Sequence, residues 1–201
     1  KVKNPYVEHG AEITFYDVLN GLMRIRNADI YVTGSNSRML STDVLTEFRG
    51  RGDEVRVQPL VFSEYMQAYD GDKFDGWLDY YTYGGLPAIL ERKTDSQKAD
   101  YLERLLEETY IKDIVERNRV KNPDDLEDLL NVVSSCIGSL TNPNRLSNTF
   151  KTEKGVDLSK TTIEKYLGYF EDAFLIEETK RFDIKGRRYI NTPKKYYFTD
   201  V

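Results

Sequence analysis

The chain is poor in the residues that build metal sites and cross-links. Its 201 residues include one cysteine, Cys136, and one histidine, His9. A lone cysteine excludes an internal disulfide, and one of each is too few for a structural zinc site. No metal ligands are therefore assigned. Such sparing cysteine use fits a reducing, cytoplasmic interior. Cys136 reads as a small core residue on a helix and His9 as a loop residue. No stretch of 18 apolar residues occurs, so no membrane-spanning helix and no membrane partner are expected. No signal-peptide pattern is recognised at the start. No glycine is followed by lysine, so the phosphate-cradling pattern G-x-x-x-x-G-K-[ST] does not occur. Internal repeats and low-complexity tracts are also missing.

What is present suits a soluble globular protein of one or two domains. Hydrophobic residues make up 39% and charged residues 31%, and fifteen tyrosines and nine phenylalanines can fill a sizeable core. The net charge of −5 is uneven. Residues 140–195 hold twelve Lys/Arg against eight Asp/Glu, a local +4 that leaves −9 for the remainder. A basic segment on an acidic body points to an anionic partner there, or to a solvated basic face.

Periodicity predicts an amphipathic helix over Glu12–Arg26 and a buried strand over Asp29–Ser35. A short helix over Ser37–Phe48 and a second strand over Glu54–Val57, stopped by Pro59, complete an α/β pattern with a parallel sheet. Beyond Pro59 the pattern is helical. One helix has an N-cap signal at Ser63, a second stops at Gly84–Gly85, a third restarts at Pro87, and a long one covers Ser96–Arg119. A helix carrying Leu126, Leu129, Leu130, Val133, Ile137 and Leu140 follows, then helices at Arg145–Lys154 and Ser159–Ala173. Two β-runs, "FLIEETKRF" and "RRYIN", flank "DIKG". Three helices and a hairpin in that order are those of a winged helix-turn-helix.

The strand candidate "IYVTGSNS" ends in small polar residues, the kind of strand tip that meets a ligand at a sheet's carboxyl edge. An Arg-Gly-Arg loop follows, and arginine can neutralise a transferring phosphoryl group. With no phosphate loop, and no acidic pair closing an apolar strand before residue 30, the residues alone leave a packing turn as the simpler reading.

The segment "NADIYVTGSNSRMLSTDVLTEFRGRGDEVRVQPLVFSEY" resembles a large prokaryotic family of predicted AAA-type ATPases with a C-terminal domain of unknown function. The resemblance continues at "YGGLP", "YIKDIVER", "TTIEKYLGYFEDAFLIEE" and "KKYYFTDV", and covers most of the chain from about residue 12. It implies that the phosphate-binding loop and the acidic metal-binding strand lie N-terminal to this segment. A restriction-endonuclease-like domain is expected after "FTDV". The chain, which starts at Lys1 rather than Met, then looks like a piece of such a protein. Thr33, Ser35 and Asn36 resemble the sensor-1 tip, with Asn36 facing the water or γ-phosphate. Arg49 and Arg51 resemble an arginine finger or a sensor-loop support; ion pairs with Glu47 or Asp53 are the plainer alternative. "YGGLP" resembles the start of a helical lid, or reads as a helix-stop turn.

The implied organisation is a sensor-side remnant of an AAA-type core over 1–60, an all-α lid over 61–122, and, over 123–201, a winged helix with a small β-hairpin and the start of a further C-terminal domain. ATP and Mg2+ are expected of the complete protein and no cofactor of this chain, which is expected to lack turnover by itself. In a winged helix the third helix enters the major groove and the wing meets phosphates. Lys160, Thr162 and Lys165, with Ser159 and Tyr169, are expected on the exposed side of that helix, and Lys185, Arg187 and Arg188 at the wing tip. Duplex DNA is one partner this suits. Docking of a protein, including further copies of the chain, is the other.

Overall fold

The computed structural model describes residues 6–8, 11–34, 52–179 and 193–200. The chain divides into two compact units, Lys1–Arg56 and Val57–Val201.

In the first unit, β1 (Tyr6–Glu8) pairs antiparallel with β2 (Ala11–Ile13), Tyr6 opposite Ile13 and Glu8 opposite Ala11. Helix α1 (Phe15–Leu22) follows and is shorter than its periodicity predicts. Thr14 sets its start. The Asp17 N–H donates to Thr14 Oγ1 at 3.2 Å, and the Thr14 N–H donates to Asp17 Oδ2 at 2.8 Å. This reciprocal cap satisfies two amides that a helix start leaves open. It also holds the Asp17 carboxyl below its ordinary value, through the Thr14 side chain first.

The two predicted strands differ from expectation. Residues 29–34 and 54–57 take no strand pairing, and the described sheets are antiparallel two-stranded ones. A parallel strand is stable only between neighbours that satisfy its backbone, and no described residue pairs with these. Tyr31, Val55 and Val57, placed by the pattern in a buried sheet, are exposed. The predicted helix at Ser37–Phe48 lies outside the described residues.

The second unit opens with α2 (Phe62–Ala68), α3 (Lys73–Tyr83) and the short α4 (Pro87–Leu90). The cap of α2 is Val61 rather than Ser63: the Val61 N–H donates to Glu64 Oε2 at 3.0 Å. A continuous helical rod then runs through α5 (Asp95–Arg104), a π-helical stretch (Leu105–Ile111) and α6 (Lys112–Asn118). A buried polar knot ties α2, α3 and α5. Tyr65 Oη donates to Asp79 Oδ2 at 2.7 Å, and Lys98 Nζ donates to Asp79 Oδ1. Lys98 also lies over the Tyr83 ring, 5.1 Å from its centroid. Burial, then the hydrogen bond to Asp79, pushes the Tyr65 phenol far up.

Helices α7 (Pro123–Ser135), α8 (Pro143–Lys154) and α9 (Lys160–Asp172) are followed by β3 (Ile176–Thr179) and β4 (Lys195–Phe198). The two strands pair antiparallel, Ile176 opposite Phe198 and Thr179 opposite Lys195. "RRYIN" lies outside the described residues, and the observed partner of β3 comes from "KKYYF". Thr141 adds a third edge: it exchanges N–H donors with Lys194 at 2.9 and 2.8 Å. Helix α7 stops at Ser135, so Ile137 and Leu140 leave its stripe, and Leu140 is exposed. Leu126, Leu129, Phe150, Ile163 and Phe170 are fully buried and join Ile114, Ile176 and Tyr196 in one core. That core closes α6–α9 and the hairpin into a single body.

Candidate functional site

Of the candidate residues, Lys160, Thr162 and Lys165 lie in the first two turns of α9. Ser159 caps the helix: the Thr162 N–H donates to Ser159 Oγ at 3.1 Å, and the two hydroxyls lie 2.8 Å apart. The Thr162 hydroxyl is therefore committed to the cap, and its residue is only half exposed. Lys160 is exposed and lies 3.6 Å from Glu164, one turn on. Lys165 extends over the Tyr169 ring at 5.7 Å. Tyr169 differs from expectation: it is buried rather than groove-facing, because its position on α9 turns it into the core.

The neighbouring cations are also engaged. Lys151 pairs with Asp157 at 3.6 Å, Lys154 with Asp128 at 2.7 Å, and Lys194 with Glu178. Over residues 140–179 there are five Lys/Arg and seven Asp/Glu; over 180–195 there are seven Lys/Arg and one Asp. The basic character of the segment thus belongs to its last sixteen residues rather than to α9. Lys185, Arg187 and Arg188 fall in that stretch and lie outside the described residues.

Of the predicted strand-tip site, Thr33 is described: it is exposed and outside any strand. Ser35, Asn36, Arg49 and Arg51 lie outside the described residues. Among the described residues no group of three or more His, Cys, Asp and Glu side chains could hold a metal ion. Burial pushes the Cys136 thiol up, against a smaller opposing effect of Arg145, which leaves it protonated and unsuited to nucleophilic work at neutral pH. Among the described residues no helix is long and apolar enough to cross a membrane.

Two junctions escape sequence reasoning. One is the Tyr65–Asp79–Lys98 knot, whose members are far apart in the chain and follow no pattern. The other joins Gly85 to Asp200, 115 residues apart. Its only sequence signal is the Gly-Gly pair, which marks a close backbone approach without saying what approaches.

Comparison with known proteins finds matching family models and relatives. The AAA domain family model matches residues 13–66. The chain is 34% identical over 188 residues to an uncharacterized protein of Haemophilus influenzae, covering 91% of this chain and 46% of that protein. It is 26% identical over 197 residues to an uncharacterized protein of Methanocaldococcus jannaschii, covering 92% of this chain and 44% of that protein. The chain therefore spans about half the length of these relatives. No solved structure matches. The match of residues 75–201 to the domain of unknown function DUF8612 covers more than half of the chain, and the chain belongs to that family, preceded by an AAA-like segment.

Proposed function

We propose that the chain supplies the sensor strand, helical lid and winged helix of an AAA-type ATPase. The observation that carries this reading is the AAA match over 13–66, which spans "IYVTGSN" and ends in α2, where the helical unit begins. The exposure of Tyr31, Val32 and Val55 supports it: these β-formers suit a sheet whose neighbouring strands belong to the longer protein. On this reading residues 1–60, 61–122 and 123–201 are the core remnant, lid and winged helix. Thr33, Ser35 and Asn36 form the sensor tip, and Arg49 and Arg51 stand near the transferred charge. ATP and Mg2+ belong to the whole protein, and several copies would assemble around it.

The test is turnover by a full-length relative carrying this segment. Asn36→Ala should lower kcat by far more than it weakens nucleotide binding, the mark of an interaction made mainly in the transition state. Unchanged turnover would remove Asn36 from the sensor role. Residues 1–201 by themselves should show no nucleotide-saturable hydrolysis.

A second reading is favoured by the charge of residues 180–195. The order α7–α8–α9–β3–β4 suits a winged helix, and the wing rather than α9 would carry its phosphate contacts. Replacing Arg187 and Arg188 by alanine should weaken binding to all duplex sequences alike. It should also flatten the log–log salt slope by about two units. Equal affinity of the two proteins at low salt would leave the domain as a protein-docking element.

A further inference from the structure

Two sequence blocks far apart in the chain, "YGGLP" and "FTD", meet in the fold. The Gly85 N–H donates to both carboxylate oxygens of Asp200, at 2.9 and 3.0 Å. The Gly85 carbonyl accepts the Leu60 N–H at 2.8 Å, and the Leu60 carbonyl accepts Tyr80 Oη at 3.0 Å. Gly85 is thus held on one side by the start of α2 and on the other by the residue just past β4. On the strand side, the Thr199 N–H donates to the Leu175 carbonyl at 3.1 Å, fixing Asp200's neighbour to the turn before β3.

Space requires glycine at position 85, and the backbone requires it at position 84. A Cβ on Gly84 would lie 2.6 Å from Asp200 Oδ2, and one on Gly85 would lie 2.2 Å from the Leu60 carbonyl oxygen. Gly84 also has φ +82°, outside the reach of ordinary side chains. The charge of Asp200 is felt across the junction. It adds to burial in raising the phenols of Tyr80 on α3 and, after burial and Tyr101, of Tyr110 in the π-helical stretch.

We infer that Asp200 is an anionic clasp that fixes the β3–β4 hairpin to the Gly84–Gly85 turn, so that the hairpin and the α2–α4 helices move as one body. Its carboxylate supplies a charge-assisted bond to an amide that no helix or strand satisfies. Any ligand that shifts the hairpin is then transmitted to the turn through this contact. The inference concerns residues of the second unit alone and stands without the ATPase reading.

Amide exchange measured residue by residue on the 1–201 chain tests it. In Asp200→Ala the Gly85 amide should exchange about tenfold faster or more, while the β3–β4 amides keep their rates. An unchanged Gly85 rate would overturn the clasp. So would a uniform acceleration across residues 57–200, which would mean a general loss of stability. A double-mutant cycle gives an independent answer should either variant fold poorly. Gly84→Ala should destabilise the wild type more than it destabilises the Asp200→Ala protein, because the backbone cost at φ +82° is common to both and cancels. Strict additivity would overturn the inference.

Discussion

In residues 57–201 the large apolar side chains meet one another. In residues 1–56 most of the described ones meet solvent. Phe150, Phe170, Leu126 and Ile163 are fully buried in the second unit. In the first, Leu19 is the buried hydrophobic residue among the described residues, while Tyr31 is 89% and Val55 80% exposed. Composition does not separate the two, since both are rich in aromatic and β-branched residues. The difference is topological. Helices satisfy their own backbones and need only a partner for one face. Strands need neighbours for every N–H and C=O. The second unit is built of elements that can close on themselves. The first carries strand-forming sequence with no described partner strand.

The largest expected effect falls on the knot of the second unit. Lys98 and Asp79 have side-chain exposures of only 10% and 11%. Asp79→Ala would leave a buried ammonium and the Tyr65 hydroxyl without their acceptor. A loss of about 3–5 kcal/mol is expected for such a broken buried pair, read as a lower denaturant midpoint. Leu19→Ala in the first unit should move the same transition by less than about 1 kcal/mol. Equal shifts would show that the two units unfold as one and would break the comparison.

The next effect is alkaline. The Tyr65 and Tyr196 phenols both lie above their ordinary value of 10.0. Burial is the main cause for each, with Asp79 adding to it at Tyr65 and Glu178 at Tyr196. A raised folded value means the folded state keeps its proton longer than the unfolded chain. The associated stability is therefore complete below pH 10.0 and declines as pH rises above it. Denaturant midpoints measured through that range should fall for the wild type and fall less steeply for Tyr65→Phe.

A smaller effect sharpens the description of the first unit. Thr14→Ala removes the cap of α1 and should cost about 1 kcal/mol of local helix stability, read as faster exchange of the amides of residues 15–18. The Asp17 carboxyl is lowered in the fold, so its contribution is present above the ordinary carboxylate value of 3.8 and is lost as pH falls below it. The α1 amides should lose protection on acidification in the wild type, and Thr14→Ala should blunt that response.

How far the sequence could be read follows the same divide. Helix α3 stops at the predicted Gly84, and α8 and α9 lie close to the predicted Arg145–Lys154 and Ser159–Ala173, because helical periodicity and stop signals are local. The π-helical stretch, the early stop of α7 and the pairing of β3 with Lys195–Phe198 depend on distant contacts and leave no local signature. Of the candidate residues, the grouping of Lys160, Thr162 and Lys165 was legible from helical spacing. That Lys160 pairs with Glu164, and that Tyr169 turns inward, was not. The Asp200 clasp was illegible for a simpler reason: a carboxylate that bonds one amide 115 residues away follows no pattern along the chain.

The smallest effect concerns the exception within the second unit. Helix α3 is apolar on its outer side too, where Phe74, Trp77, Leu78 and Tyr81 recur at helical spacing and are exposed. Phe62 meets Trp77 edge-on at 5.0 Å and Tyr80 at 5.4 Å, so Trp77 is half anchored from below. Phe74 and Tyr81 stand at the two ends of this stripe and hold little of the closed core. Replacing both by serine should change stability by no more than about 0.5 kcal/mol each, the range for surface positions. The chain has a single tryptophan, so its emission reports on this stripe directly. The double variant should keep the wild-type denaturant midpoint with a small red shift as Trp77 becomes more hydrated. A loss as large as that of Asp79→Ala would instead place the stripe inside the cooperative core and enlarge the second unit's closed body to include it.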